Sequence, residues 1–198
     1  MAAIFRLPKH RVRYLFNDLI RDKFEKAASQ KFYFGEDRKF VDFKALIHLY
    51  FFFELKKRGF SYSKILESYK ELVEILGTPY PFIKAIIGNE GNNITARIDE
   101  TIISGKRQIY IREIIEPLIQ KIEFTDNEIS KFYPLGKKNS VVVNPTVQFG
   151  SPIINGTRIN TAVISELHES GESIEMIAKM YDISFKQVKD AIEFSIAA

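Results

Sequence analysis

The side chains that could do chemistry in this chain are few, and their spacing excludes most kinds of it. Histidine stands at positions 10, 48 and 168 only, and none has a second histidine three or four residues away, the spacing at which one helix face offers two ligands to a metal. His48 falls in an apolar helical pattern and reads as a core or interface residue. The acids Asp99-Glu100, and Asp126 with Glu128, flank turn-like residues and read as surface charge. Gly88-Asn-Glu-Gly91 lacks the lysine and flanking strand that a phosphate-cradling loop needs. The chain contains no cysteine, so a thiolate nucleophile, a disulfide framework and a cysteine zinc site are all excluded. The expectation is a protein with no catalytic residue, no cofactor and no bound metal.

What remains is cationic chemistry directed at phosphate. The 198 residues carry a net charge of +4, distributed unevenly. In residues 1–40 ten basic side chains oppose five acidic ones, a net of +5, whereas in residues 145–198 four oppose seven, a net of −3. Affinity for duplex DNA comes mainly from neutralising phosphates. The N-terminal region is therefore expected to make the main DNA contact through Lys9, Arg11 and Arg13 and through Lys31, Arg38 and Lys39 of a wing-like hairpin. Lys186, Gln187 and Lys189 form a second candidate set, because they open a C-terminal helix where base-reading residues belong. Asp182, Asp190 and Glu193 stand in the same motif and would repel phosphate.

The elements that must position these residues follow from periodicity and cap chemistry. Residues 8–24 read as a helix, and 31–34 with 38–41 as a hairpin. Asp42 caps a helix over 43–58 that Gly59 ends, and Ser61 caps a second helix running to about Leu76. Signals weaken over 77–140: 93–98 and 107–111 read as strands, 111–122 as a helix interrupted at Pro117, and 122–124 with 128–133 as a hairpin. The polar stretch 134–140 reads as a linker. Beyond it, Asn160 caps a helix ending at Gly171, and residues 173–192 read as a helix-turn-helix. In that motif Ala178 is the small residue inside the first helix, Asp182 takes the turn position, and Ser184 with Gln187 forms a capping box.

With 45% apolar residues the chain can bury a sizeable core. The fold class is mainly α with small β-hairpins (α+β), divided as a winged-helical module over 1–76, a connecting α/β segment over 77–139 and a three-helix module over 140–198. The longest apolar run, 45–53, is too short to span a bilayer, and the first residues lack the apolar core of a signal peptide, so a cytoplasmic, non-membrane protein is expected. Phe51, Phe52 and Phe53 cannot all face one core, because adjacent helical positions lie about 100° apart. At least one of them is expected to meet another module or a second chain, and with Phe185, Val188, Ile192 and Ile196 they form the expected dimer or partner-protein interface, giving a homodimer.

The run Val143-Asn-Pro-x-x-x-Phe149-Gly-x-Pro152-x-x-x-Gly156-Thr157-Arg158-Ile159, followed by Gly171-x-Ser173-Ile-Glu175-x-Ile177-Ala178 and Val188-x-x-Ala191-Ile-Glu-Phe194, resembles the domain-of-unknown-function 433 family. Members of that family look like antitoxin halves of toxin–antitoxin pairs, and the chain resembles a longer VapB-type form with an extra N-terminal region. The resemblance implies an antitoxin and autorepressor that binds operator DNA and masks a PIN-type ribonuclease toxin. The alternative is a non-enzymatic dimeric adaptor whose helix-turn-helix serves dimerisation only. Gly150, Pro152, Gly156, Thr157 and Arg158 are the signature residues, read as structural: the Gly156-Thr157 turn bends the backbone and Arg158 hydrogen-bonds carbonyls or a carboxylate. Upstream, Arg11-Val-Arg-Tyr14, the hairpin, Asp42-Phe43 and Lys57-Arg-Gly-Phe-Ser61 with Ile65 resemble the winged helical domain of MerR-type regulators, without the full helix-turn-helix that opens that domain.

Overall fold

The computed structural model describes residues 2–14, 25–28, 33–34, 40–83, 118, 120–126 and 128–196. In chain order these form helices α1 (Ala2–Phe5), α2 (Lys9–Tyr14) and α3 (Glu25–Ala28), strands β1 (Tyr33–Phe34) and β2 (Phe40–Val41), and helices α4 (Phe43–Lys57) and α5 (Tyr62–Leu76). Strands β3 (Ile122–Thr125), β4 (Glu128–Phe132), β5 (Val141–Val143) and β6 (Pro152–Ile154) follow, then helices α6 (Thr161–Glu169), α7 (Ile174–Tyr181) and α8 (Phe185–Ile196). The class is mixed α and β with a four-stranded antiparallel sheet. No helix among the described residues is long and apolar enough to cross a membrane. Two compact units result, Met1–Val12 with Gln120–Ala198, and Arg13–Ile119. Their boundaries follow residues 12 and 119, whereas composition suggests dividing the chain after 76 and 139.

In the unit Arg13–Ile119, the Asp42 carboxylate accepts from the Lys44 amide at 3.2 Å to start α4, and the Ser61 hydroxyl accepts from the Lys64 amide at 3.3 Å to start α5. Gly77, at φ 59° and ψ 35°, ends α5 in the left-handed conformation that glycine adopts without steric cost. β1 and β2 pair antiparallel, Tyr33 opposite Val41. Helix α5 is amphipathic and buries Ile65, Tyr69 and Leu72 along one face. Helix α4 buries every residue from Ala45 to Phe52, and Leu55 as well. In the phenylalanine run Phe51 and Phe52 are 1% and 0% exposed, and Phe53 is half-buried against Phe52 at 5.7 Å between ring centroids. Phe82 lies 6.3 Å from Phe51 and Tyr62 lies 4.9 Å from Phe52 between ring centroids, so neighbouring positions that point in different directions each meet an aromatic partner.

In the other unit the sheet is a meander in the order β3-β4-β5-β6. The hairpin expected around Thr125-Asp126 is present, with Thr125 opposite Glu128 and Ile122 opposite Phe132. β5 and β6 pair Val141 with Ile154 and Val142 with Ile153. Alternation then sends Ile154 into the core formed by Ile164, Ile177, Ala178, Val188, Ala191 and Ile192, and Ile153 to the opposite face with Tyr133 and Val142. The stretch 134–140 is a tied turn between β4 and β5, not a linker. Lys121 Nζ donates to Pro134 O at 3.1 Å, Asn139 Oδ1 accepts from the Val141 amide at 2.9 Å, and Ser140 O accepts from the Asn155 amide at 2.7 Å. The Asn139 side chain thereby pairs the amide of the buried Val141.

The expected elements at 15–24, 93–98 and 107–111, the interrupted helix at 111–122 except its last residues, and the glycine stretch at 88–91 lie outside the described residues.

Candidate interaction surfaces

Each helix of the C-terminal part begins with the cap its sequence calls for. Asn160 Oδ1 accepts from the Ala162 amide at 2.9 Å, and Ser173 Oγ accepts from the Met176 amide at 3.2 Å. At Ser184 the exchange is reciprocal: its amide donates to Gln187 Oε1 at 2.8 Å and its hydroxyl oxygen accepts from the Gln187 amide at 3.2 Å. Asp182 takes φ 52° and ψ 50°, and the Ile183 amide reaches back to Ala178 O at 3.0 Å. This left-handed residue, of a type that tolerates it, ends α7 and turns the chain into α8. Ile177, Ala178, Val188, Ala191 and Ile192 close the contact between the two helices.

The Gly-Thr-Arg signature occupies a tight return from β6. The Thr157 amide donates to Ile154 O at 3.0 Å, Gly156 supplies φ +81°, and the Ile154 amide donates to Ile159 O at 2.9 Å. Thr157 Oγ1 donates to Ile154 O at 2.8 Å and accepts from the Ile159 amide at 3.0 Å, stapling both sides of the bend. Arg158 does not share this work. Its side chain is exposed, and only its backbone oxygen is engaged, accepting from Gln148 Nε2 at 3.2 Å. The expectation that the Arg158 guanidinium pairs with a buried acceptor is thereby corrected: the bend is closed by the threonine hydroxyl, and arginine is left facing solvent.

Gln148 belongs to the loop that presents Phe149. Gln148, Phe149 and Gly150 are successively left-handed, at φ 49°, 53° and 73°. For the two residues with side chains this conformation costs roughly 1–2 kcal/mol each. Backbone bonds hold it, from the Gly150 amide to Val147 O at 3.0 Å and from the Ser151 amide to Gln148 O at 3.0 Å, and Asn144 Oδ1 accepts from the Thr146 amide at 3.0 Å. The outcome is a phenylalanine as exposed as one in an extended peptide, at 102%. In the sequence Phe149 is one position of the family run, and the glycine after it is the one local signal for this turn.

Among the proposed DNA-contacting residues, Lys186 is engaged inside the protein. Its ammonium donates to Asp190 Oδ2, one helical turn on, and to Lys138 O at 3.0 Å. Asp190 Oδ2 also accepts from the Ser140 amide at 2.7 Å, so one carboxylate clips α8 to the turn before β5. Burial alone would raise the Asp190 pKa, but the Lys186 and Ser140 hydrogen bonds outweigh it and hold the carboxyl below its ordinary range. The i,i+4 spacing signals such a pair. Gln187 serves the capping box, and Lys189 is exposed. Arg11 is exposed on α2, which also carries Lys9 and Arg13, whose side chains lie outside the description, as do Lys31, Arg38 and Lys39 entirely. Of the expected interface residues in α8, Val188 and Ile192 are buried in the unit's own core, and Phe185 and Ile196 are exposed. Pro152 opens β6, opposite Val143.

No group of three or more histidines and carboxylates that could hold a metal occurs among the described residues. His48 is enclosed by Phe82, stacked at 4.8 Å, and Tyr69, tilted at 4.9 Å, and burial lowers its pKa to about 3. It is a neutral core residue.

Residues 141–195 match the family described as "Protein of unknown function (DUF433)". A 55-residue stretch is 34% identical to the Uncharacterized protein Rv2308 of Mycobacterium tuberculosis (strain ATCC 25618 / H37Rv), covering 28% of this chain and 23% of that protein. Over 99 residues the chain is 26% identical to the protein named Putative antitoxin VapB45 of the same strain, covering 49% of this chain and 41% of that protein. Both matches thus span less than half of the relative's length. The X-ray crystal structure of Rv2018 from Mycobacterium tuberculosis aligns with a TM-score of 0.68 at 18% identity, covering 96% of this chain and 94% of that one, a likeness of fold.

Proposed function

We propose that this chain is the antitoxin of a type II toxin–antitoxin pair: it neutralises a PIN-type ribonuclease toxin and, as a homodimer, binds the operator of its own gene as an autorepressor. The observation that carries this reading is the family match over residues 141–195 together with the similarity to the protein named Putative antitoxin VapB45. The capped pair α7 and α8, turning at a left-handed Asp182, supports a helix-turn-helix within that module. In this reading the chain performs no catalysis; the chemistry belongs to the toxin, and the chain supplies surfaces.

The main DNA contact is assigned to the N-terminal region, with its +5 charge and the wing-like, MerR-like hairpin. Internal engagement of Lys186 and Gln187 favours that choice, since a lysine paired with Asp190 has little left to offer a phosphate. The same engagement favours the second reading, an adaptor in which α7 and α8 serve association alone.

Two measurements test the proposal. Co-expression with the short reading frame adjoining its gene should restore growth and suppress that product's ribonuclease activity; arrest that persists at molar excess overturns the antitoxin reading. Titration against the promoter upstream of its gene should show Arg11→Ala with Arg13→Ala lowering affinity and reducing the salt slope of log K by about 0.9 for each phosphate that is no longer neutralised. If instead Lys186→Ala with Lys189→Ala abolishes binding and the first variant does not, the assignment reverses. Absence of binding altogether leaves the adaptor.

A further inference from the structure

Of the residues expected at a dimer interface, Phe51, Phe52, Val188 and Ile192 are buried within the chain, Phe53 is half-buried and Phe185 and Ile196 are exposed, and the C-terminal part leaves a further apolar set uncovered. Phe149 stands fully exposed on its left-handed turn. On α7, Met176 and Met180 are 51% and 54% exposed and lie one helical turn apart, on the same face. One is a rigid aromatic knob held by backbone hydrogen bonds; the other is a pair of pliable thioethers, side chains that adapt to an inserted ring and favour sulfur–aromatic contact.

Charge divides the same way. From Asn144 to Ser165 the sole charged side chain is Arg158, exposed and joined to the Phe149 loop through Gln148. From Glu166 to Asp182, Glu166, Glu169, Glu172, Glu175 and Asp182 oppose Lys179 alone. The two sets are thus complementary in sign, an aromatic ring with a cation near it against thioethers among carboxylates, and both are carried by the same unit. A two-fold interface requires a surface holding both halves of its contact, residue i of one copy meeting j of the other and the reverse. A nucleic acid suits these methionines poorly, because Glu175, next to Met176, repels phosphate.

We propose that a second copy of this chain covers these residues: Phe149 of each protomer seats against Met176 and Met180 of its partner, and Arg158 faces the acidic side of the partner's α7, at Glu175. The inference rests on the dimeric state in the function proposed above and assigns its interface.

Sedimentation velocity of the full chain over a concentration series tests it, with circular dichroism melts confirming that each variant is folded. The wild-type chain should be dimeric. Phe149→Asp and Met180→Lys should each raise the dimer Kd by roughly thirtyfold or more, the loss expected for an interface anchor. Arg158→Glu should weaken the dimer and Arg158→Glu with Glu175→Arg should restore it. Because the chain has no cysteine, an equimolar mixture of Phe149→Cys and Met180→Cys, treated with a short bismaleimide, should give a mixed cross-linked dimer. A monomeric wild-type chain overturns the dimer reading and this interface together. A wild-type dimer unmoved by Phe149→Asp and giving no mixed cross-link overturns the interface alone. So does a Phe149→Asp variant that stays dimeric while losing the co-expressed nuclease, since Phe149 would then belong to that protein.

Discussion

Helix α4 buries every residue from Ala45 to Phe52, whereas α7 buries only Ile177 and Ala178 and leaves Met176 and Met180 half-exposed. By composition α4 is the more conspicuous candidate for an interface, with three consecutive phenylalanines; in the structure most of its side chains are buried. Helix α7 carries an ordinary amphipathic pattern, and the part of its apolar surface that no neighbour covers is modest in the sequence. Apolar content thus measures how much must be covered, and only the arrangement of neighbours shows what is left over.

The largest test of this contrast is truncation at the two sites. Phe52→Ala should lower the unfolding free energy by about 3–5 kcal/mol, because a fully buried ring is replaced by a cavity. Met180→Ala should change it by no more than about 0.5 kcal/mol while weakening self-association. Urea denaturation at a concentration where the chain is monomeric reads both. A Phe52→Ala protein that keeps its stability and loses its dimer would return the interface to α4.

Acid should separate the two regions again. His48 has its pKa lowered to about 3 by burial, below the ordinary value near 6.5, so folding favours its neutral form. Its contribution is present above about pH 6.5 and is lost as pH falls toward 3, at up to about 1.4 kcal/mol per pH unit. His48→Phe keeps a ring among Tyr69 and Phe82 and cannot be protonated, so the slope of stability between pH 6.5 and 4 should flatten. An unchanged slope would mean that other groups carry it. Asp190, in the other unit, has a depressed pKa, so its contribution is present above the ordinary aspartate value of about 3.9 and is lost only below it.

The Asp190 clip gives a smaller effect at neutral pH. Asp190→Ala removes the acceptor of the Ser140 amide and should cost about 1–3 kcal/mol. Lys186→Ala should cost less than about 1 kcal/mol, because its side chain is mostly exposed and solvent screens the pair. Equal losses in thermal or urea melts would show that the ion pair, and not the amide hydrogen bond, holds α8 to the sheet.

The helices with local cap signals were legible in the sequence. Asp42, Ser61, Asn160, Ser173 and Ser184 act within three residues of themselves, so their spacing carries the information. β5 and β6 were not legible: each has three residues, and the pairing of Val141 with Ile154 crosses a loop that no short-range pattern predicts. For the same reason 134–140 read as a linker, since polar side chains that close a turn look like polar side chains that meet water. In the candidate surface, Lys186 and Asp190 each read as charges acting on phosphate, although their i,i+4 spacing also joins them as a pair. The exposure of Phe149 had only the following glycine as a signal, because left-handed backbone at Gln148 and Phe149 is imposed by the loop's hydrogen bonds and not preferred by either residue.

The smallest expected effect discriminates within the Gly-Thr-Arg signature itself. Were the signature structural throughout, Thr157 and Arg158 would both matter for stability. The two hydrogen bonds of the Thr157 hydroxyl, at 2.8 and 3.0 Å, close the bend after β6, so Thr157→Val, which keeps the shape and removes both, should cost about 1–2 kcal/mol. Arg158→Ala should leave stability within about 0.5 kcal/mol, because an exposed guanidinium contributes no buried hydrogen bond, and the Arg158 backbone oxygen still accepts from Gln148 in the variant. Thermal melts of the two variants, at a protein concentration low enough to keep them monomeric, measure the difference directly. A loss of about 1 kcal/mol or more for Arg158→Ala would mean that its side chain supports the bend after all, and it would remove Arg158 from the surface on which the proposed pairing with a second copy depends.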